Sequence, residues 1–511
     1  MSAKSLQKHF SIHEESERRA YCKWINKVLA DDKDSSLYLP LDPYNDDIYH
    51  KLQDGFLLCK LVQVSLPESI DERAINRGED LSKTYSQKMD NLCLMLNAAR
   101  CRGGNMGNVD INEIIDGNKF TILDTIWQII RIGFFNQINF YHHPEIVDLK
   151  KINESIDDLK ELSPSDIVLR YVNLHLAKSG LRHFINDFDD NFKDCLLYAH
   201  LTYRAAPVNL RMKMTDPTTI TNEKCVETRA RDIVSNLAVL NIESFLTEDD
   251  LLNGHKRRES SCKLHISTMS YLFIYFNGDL PIINPSHRTK SFGAAGECLE
   301  ELTCRNFLNS FDVYPFSNHL LTDCRNGWIF SEMFEILQPG ITSGIKFILN
   351  FDLERFYPQR VHNNMKIIKL CQSLSFNCQN LDAEKLADSD KSSILSIILE
   401  MMRYYFAKDG INTKEMVEII NCEVKKKKRK GIINSFSDRA IVDDNLLAVI
   451  IDSKAPGLVD MACLNKDKLK NSRYLISIAH KAGIPIYTLP EHFVDGNASF
   501  IAIAFATLLT Y

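Results

Sequence analysis

The chain has 511 residues, 45% apolar and 25% charged, with 61 Lys and Arg against 67 Asp and Glu for a net charge of −6. That is the mix of a globular protein, so neither a disordered chain nor a fibre describes it, and the charge balance gives no general pull toward nucleic acid. At roughly 150 residues per domain the length predicts three or four domains, and no apolar run approaches the roughly 18–20 residues of a membrane helix.

In chain order, the opening segment MSAKSLQKHFSIHEESERR lacks the apolar stretch of a secretory signal. LQDGFLLCKLVQVSLP (52–67) begins in a polar turn, runs as an apolar helix and stops at Pro67, which cannot continue a helix. MDNLCLMLNAARC (89–101) is amphipathic, with Asn91 near its start. ILDTIWQIIRIGFF (122–135) is the strongest helix. Leu123, Ile126, Trp127, Ile130 and Phe134 recur at helical spacing, and Ile122 and Ile129 add apolar surface on other sides, so neighbours should enclose it.

The same three pieces return three times. The second set is NFKDCLLYAHLTYRAAP (191–207), ARDIVSNLAVLNI (230–242) and a helix within 251–276 carrying Ile266, Met269, Phe273 and Phe276. The third is LTDCRNGWIFSEMFEILQP (321–339), VHNNMKIIKLCQSL (361–374) and a helix within 386–406 carrying Ile394, Ile397, Ile398, Met401 and Tyr405. The fourth is VDDNLLAVIIDSKAP (442–456), LKNSRYLISIAHKAGI (469–484) and 493–511, whose apolar run from Phe500 to Leu509 reads as a buried core helix. Alternation of the strand type is scarce. The fold class is therefore all-α, with four related domains of about 100–125 residues.

Signatures of catalysis are missing. GGNMGN (103–108) lacks the Lys-Ser/Thr of a phosphate loop, and neither HExxH nor GxSxG occurs. Asp187, Asp189 and Asn191 have the spacing that begins a calcium loop, but Phe192 stands where Gly is needed and Tyr198 where Glu is needed. The 14 Cys include no CxxC pair and lie largely in apolar runs, so buried free thiols in a reducing compartment are expected rather than a zinc site. No catalytic residue, metal site or cofactor is expected, and an interaction protein is the better reading.

The succession DGFLLCKLV, NLCLMLNAA and ILDTIWQIIRIGFF resembles a calponin-homology domain, and four of them in one chain resemble the fimbrin/plastin family of actin-bundling proteins. YCKWINKVL, LPESIDERAINR (66–77) and WQIIRIGFF carry the likeness in the first unit, of which IDERAIN and WQIIRIG are the most specific. LEELTCRNFLNSFDVYPFSNHLLTD (299–323), with Phe307 in place of an expected Trp, carries it in the third, and NSRYLISIAHKAGIPIYTLPEHFV (471–494) in the fourth. The second unit is the most divergent.

The resemblance implies four tandem calponin-homology domains arranged as two actin-binding units. They would span 15–140, 162–279, 294–408 and 411–511, after a tail at 1–14. Segment 136–163 would join the first two domains. Segment 277–296, with Pro281 and Pro285, would separate the two units, and AKDGIN (407–412) would join the last two domains. Two sites on one body turn filament decoration into cross-linking, because the second binding event is tethered. The expected molecule is thus a cytoplasmic monomer of the actin cytoskeleton that joins two F-actin filaments. Many fimbrins begin with a pair of EF-hands; about 14 residues precede the first domain here, so direct calcium regulation is not expected. The alternative is an adaptor in which domains 1–2 bind actin and a divergent second unit binds another partner, such as microtubules or a signalling protein.

By the same resemblance, actin contacts fall on three surfaces of each unit. On the first helix they would be Arg19, Lys23, Asn26 and Lys27, with Trp24 a core anchor. On the last helix of the first domain they would be Lys119, Gln128, Arg131 and Gln137, with Trp127 and Ile130 in the core. On the first helix of the second domain they would be Arg170, Asn173 and Lys178, and in the second unit Arg305, Asn309, Arg403 and Lys408. The basic run Lys425–Lys430 (KKKKRK) is the sharpest charge feature, in a last domain with 14 Lys and Arg against 11 Asp and Glu. It reads as a solvated helix end, an actin contact, or a nuclear-import or anionic-lipid patch.

Overall fold

The computed structural model describes residues 3–77, 83–182, 184–188, 192, 194–242, 245–256, 258–276, 296–311, 313–348, 357–378, 380–406 and 412–511. Among these residues every regular element is helical, and sixteen helices have nine residues or more. They fall into four groups of four. The first is α1 (Ala3–Val28), α2 (Phe56–Ser65), α3 (Tyr85–Cys101) and α4 (Lys119–Gln137); the second is α5 (Pro164–Lys178), α6 (Leu196–Ala205), α7 (Val226–Val239) and α8 (Arg258–Tyr275). The third is α9 (Leu299–Asn309), α10 (Trp328–Leu337), α11 (Tyr357–Ser373) and α12 (Lys391–Phe406); the fourth is α13 (Thr413–Lys426), α14 (Leu446–Lys454), α15 (Lys468–Lys481) and α16 (Ala498–Thr510). The three recurring sequence pieces are the second, third and fourth helices of each group.

Local chemistry sets the helix starts. Thr84 with Gln87 and Asn412 with Glu415 form capping boxes, and the Asn118, Ser163 and Asp467 side chains accept from free backbone N–H groups of the first turn. The second helix of every group starts from a left-handed residue: Gly55, Cys195, Gly327 and Asn445. At Gly55 this is also a matter of space, since a Cβ would stand 2.9 Å from both Asn91 Cβ and Leu92 N.

Two asparagine clasps recur in all four groups. In the first helix, an Asn side chain bonds both backbone groups of one residue in the loop that follows. Asn26 holds Leu41 (2.8 and 2.7 Å), Asn173 holds Ile185 (both 2.9 Å), Asn309 holds Ser317 (both 2.8 Å) and Asn421 holds Ile433 (2.8 and 2.9 Å). In the third helix, Asn91, Asn236, Asn363 and Asn471 clasp Asn76, Thr215, Ile348 and Asn465 in the same way. An amide has one acceptor and two donors, so it alone closes such a two-bond ring on a backbone. Residues 163–275, the most divergent part of the sequence, carry every one of these devices.

By contacts the described chain falls into two units. One comprises the described residues within 3–53 and 110–276; the other comprises those within 54–77, 83–109 and 296–511. In the first, α1 and α4 pack on each other and on α8, and α5 packs on α6 and α8. Trp24 is buried, as expected, and the ring of Phe134 meets Tyr271 edge-on at 5.4 Å. The enclosure expected of α4 holds, with Ile122, Ile126, Ile129 and Ile130 at 1% exposure or less, but Trp127 is half-buried rather than core. Segment 136–163 is structured by a 3-10 helix at Pro144–Leu149 and a turn of helix at Ile156–Lys160.

In the second unit, Phe307 fills its anchor position with no exposure, and its ring lies 5.5 Å from Tyr487 and 6.0 Å from Phe406. The run from Phe500 to Leu508 is core, as expected. All 14 Cys are free thiols, seven of them buried; the remainder are half-buried, apart from Cys225 and Cys422 on the surface. Segments 277–295 and 407–411, read as linkers, lie outside the described residues, as do Asp189 and Asn191.

Candidate interaction surfaces

On α1, three of the four expected contact residues turn out to be occupied within the first unit. Arg19 lies 3.5 Å from Thr247 Oγ1 and 3.8 Å from the Asp250 carboxylate. Ser16 donates to the same Asp250 at 2.8 Å, and Lys263 of α8 lies 3.5 Å from Glu17. Lys27 donates to the carbonyl of Asn241. Asn26 is one of the loop clasps. The reason is physical: α1 lies against the segment before α8, and a cation facing a buried carboxylate is drawn inward. Lys23 is half-exposed and makes no ion pair among the described residues.

On α4, Lys119 sits in an acidic corner. It donates to Asp46 (2.9 Å) and Glu14 (3.2 Å) and stands 4.8 Å over the Tyr49 ring. Burial disfavours its ammonium, but hydrogen bonds to Asp46 and Glu14 carry its pKa above the ordinary lysine value. Gln128 and Gln137 are half-exposed, and Arg131 lies flat on Phe135 at 4.8 Å. Phe120 beside Lys119 is 55% exposed, an aromatic on this surface that helical periodicity alone passes over.

On α5, Lys178 is fully outward, whereas Arg170 is bound to Glu154 at 2.6 Å and Asn173 is a clasp. In the second unit, Arg305 is buried at 3% exposure in a two-bond pair with Glu297 (2.6 and 2.9 Å), and Asn309 is again a clasp. Both were expected outward; both are structural. Arg403 is exposed beside Glu400, and Lys408 lies outside the described residues. Side chains from Lys425 to Lys430 are all exposed.

One surface was not foreseen as such. The strip carrying IDERAIN docks on the fourth helix group. Arg73 grips Asp71 with two bonds of 2.8 Å, donates to the carbonyls of Cys463 (2.6 Å) and Lys470 (2.8 Å), and stacks over Tyr474. The Asp71 N–H donates to Ser477 Oγ at 2.9 Å, Asn97 donates to the carbonyl of His480 at 2.9 Å, and Lys481 reaches back to Asn76 at 2.7 Å. Burial at this seam depresses the His480 pKa to about 4, which keeps the imidazole neutral. Resemblance marked IDERAIN as specific, but nothing in its spacing says that its partner lies some 400 residues away.

A family model for the calponin homology (CH) domain matches residues 15–134, 300–407 and 411–511. Plastin-1 of Bos taurus is 28% identical over an alignment of 536 residues that takes in all of this chain and 81% of the relative. Fimbrin-4 of Arabidopsis thaliana is 27% identical over 525, covering 98% of this chain and 78% of the relative. Among solved structures, the actin-crosslinking core of Schizosaccharomyces pombe fimbrin superposes with a TM-score of 0.80 at 24% identity, over 97% of this chain and 100% of that one, so the fold is shared.

Proposed function

Because the chain belongs to the calponin homology domain family, we propose that it binds and bundles actin filaments through two tandem units, residues 15–279 and 294–511. The role is structural rather than catalytic, and its place is the cytoplasmic actin cytoskeleton. The single observation that carries the reading is the fourfold recurrence of both asparagine clasps, including in residues 163–275, where the family model has no match. Four equivalent helix groups make two equivalent pairs. Two pairs on one chain are the minimum for joining two filaments, and tethering then raises the second binding event without any new contact. Plastins and fimbrins are relatives along nearly the whole chain, and the similar solved core is described as actin-crosslinking.

The candidate contact residues that remain after the occupied ones are set aside are Lys23, Gln128, Gln137 and Lys178 in the first pair; in the second, Arg403 is exposed but paired with Glu400. Co-sedimentation with filaments is the test: bundles pellet at low speed, decorated single filaments only at high speed. One observation favours the adaptor reading. Of the four contacts expected in the second pair, Arg305 and Asn309 serve the fold instead. A second pair that ignores filaments and captures another protein would establish that reading.

A further inference from the structure

The basic run Lys425–Lys430 closes α13, and its surroundings narrow what it is for. Six consecutive cations are exposed. Only two find acids among the described residues: Lys426 bonds Glu423 at 2.5 Å, and Lys427 bonds Asp452 at 2.7 Å. Lys425, Lys428, Arg429 and Lys430 make no ion pair there, although the Arg429 charge also acts on Asp452, so six cations face two carboxylates and most of their mutual repulsion remains.

The run is not an extended tail. Lys428 N–H donates to the Lys425 carbonyl (3.0 Å) and Arg429 N–H to the Val424 carbonyl (3.0 Å), a helix-ending turn with Lys428 in the left-handed region. Buried Val424 on one side and buried Ile433 on the other, the latter held by the Asn421 clasp, pin both ends. A receptor that reads basic peptides as extended strands would have to unfold this corner. A broad anionic surface would not.

Apolar residues beside the charges then choose among such surfaces. Ile432, two residues past Lys430, is 57% exposed. Ile419, Cys422 and Lys426 follow at i, i+3 and i+7 on one stripe of α13, with Ile419 38% exposed. Trp24, Tyr171 and Phe307 stand two residues before their clasp asparagines and are buried; Ile419 holds the corresponding place before Asn421 and is partly bare. Clustered cations flanked by exposed aliphatic side chains suit the boundary of a bilayer, where headgroup phosphates take the charge and the acyl boundary takes the isoleucines. We infer that the end of α13 is a docking site for the surface of an anionic lipid bilayer, separate from the filament contacts.

The test uses the intact chain and vesicles of phosphatidylcholine alone or with 30% phosphatidylserine, at low and at physiological salt. The chain is expected to sediment with the anionic vesicles only, more weakly as salt rises. Replacing the unpaired cations together (Lys425→Gln, Lys428→Gln, Arg429→Gln, Lys430→Gln) should weaken that binding at least tenfold with an unchanged melting curve and unchanged filament binding. Ile432→Ser should weaken it several-fold at constant charge. No vesicle binding, or binding indifferent to the four replacements, overturns the proposal. So does loss of filament binding by the fourfold variant without vesicle binding by the parent, which would make the run an actin contact. An Ile432→Ser variant that binds as the parent does would overturn it in favour of a site for soluble polyanions, which inositol hexakisphosphate competing fully at micromolar concentration would identify.

Discussion

Arg73 in the first helix group places its guanidinium carbon 4.8 Å from the ring centre of Tyr474 in the fourth. It is fixed there by a two-bond grip on Asp71 and by two backbone carbonyls across the seam. The IDERAIN block is thus a docking element, which is a physical reason for its having this particular string of charges. Arg is needed because a planar fork satisfies a carboxylate, two carbonyls and a ring face at once.

Arg73→Ala should therefore destabilise the chain by about 1.5–3 kcal/mol, the range for charged hydrogen bonds. Hydrogen exchange should rise in residues 66–77 and 460–481 before it rises elsewhere. Arg73→Lys keeps the charge but not the fork, and should restore less than half of the loss. Unchanged exchange at the seam would mean that Arg73 is peripheral to it.

Clasps and contacts should separate cleanly. Asn26→Ala removes two bonds to Leu41 and leaves its backbone groups unpaired, for a cost of about 1–3 kcal/mol seen in thermal or urea unfolding. Lys23→Glu should leave stability within about 0.5 kcal/mol and weaken filament binding several-fold. The opposite pattern would return Asn26 to the list of contacts and remove Lys23 from it.

Lys83 and Asp54 form an almost fully buried pair, and Asp54 also accepts the Phe56 N–H at the start of α2. Lys83→Met abandons a buried carboxylate, which should cost about 3–5 kcal/mol. The double replacement Lys83→Met with Asp54→Asn should recover part of that in unfolding measurements.

Asp323 offers a pH signature. Burial raises its pKa to about 7, against hydrogen bonds from the His319 and Asn318 N–H groups and Ser317, and the nearby Arg305 charge. Between an unfolded value of about 3.9 and that folded value, the native chain holds the proton that the unfolded chain releases. Stability from this group is complete below pH 4 and is lost as pH rises to 7, at up to roughly 1.4 kcal/mol per pH unit. Urea unfolding from pH 5 to 8 should show this slope in the parent and lack it in Asp323→Asn.

Much of the fold was legible because helical periodicity is written in long segments. The apolar stripe of α4, the Pro stops after α2, α6, α10 and α14, and the amphipathic third segments all correspond to what the structure contains. The surroundings of the candidate contact residues were less legible. Exposure on a helical wheel depends on what packs against the wheel, and periodicity does not show that Asp250 waits for Arg19 or Glu297 for Arg305. Asn26, Asn173 and Asn309 look like polar surface for the same reason; only their repetition at matched places marks them as clasps.

Bivalency is decided by low-speed co-sedimentation of actin filaments, with the intact chain beside a Lys23→Glu, Lys178→Glu variant. The intact chain should bring filaments down at low speed, while the variant stays with filaments at high speed only, held by its second pair. Intact chain that pellets with filaments at high speed alone would contradict it, because one filament per molecule would then be the limit.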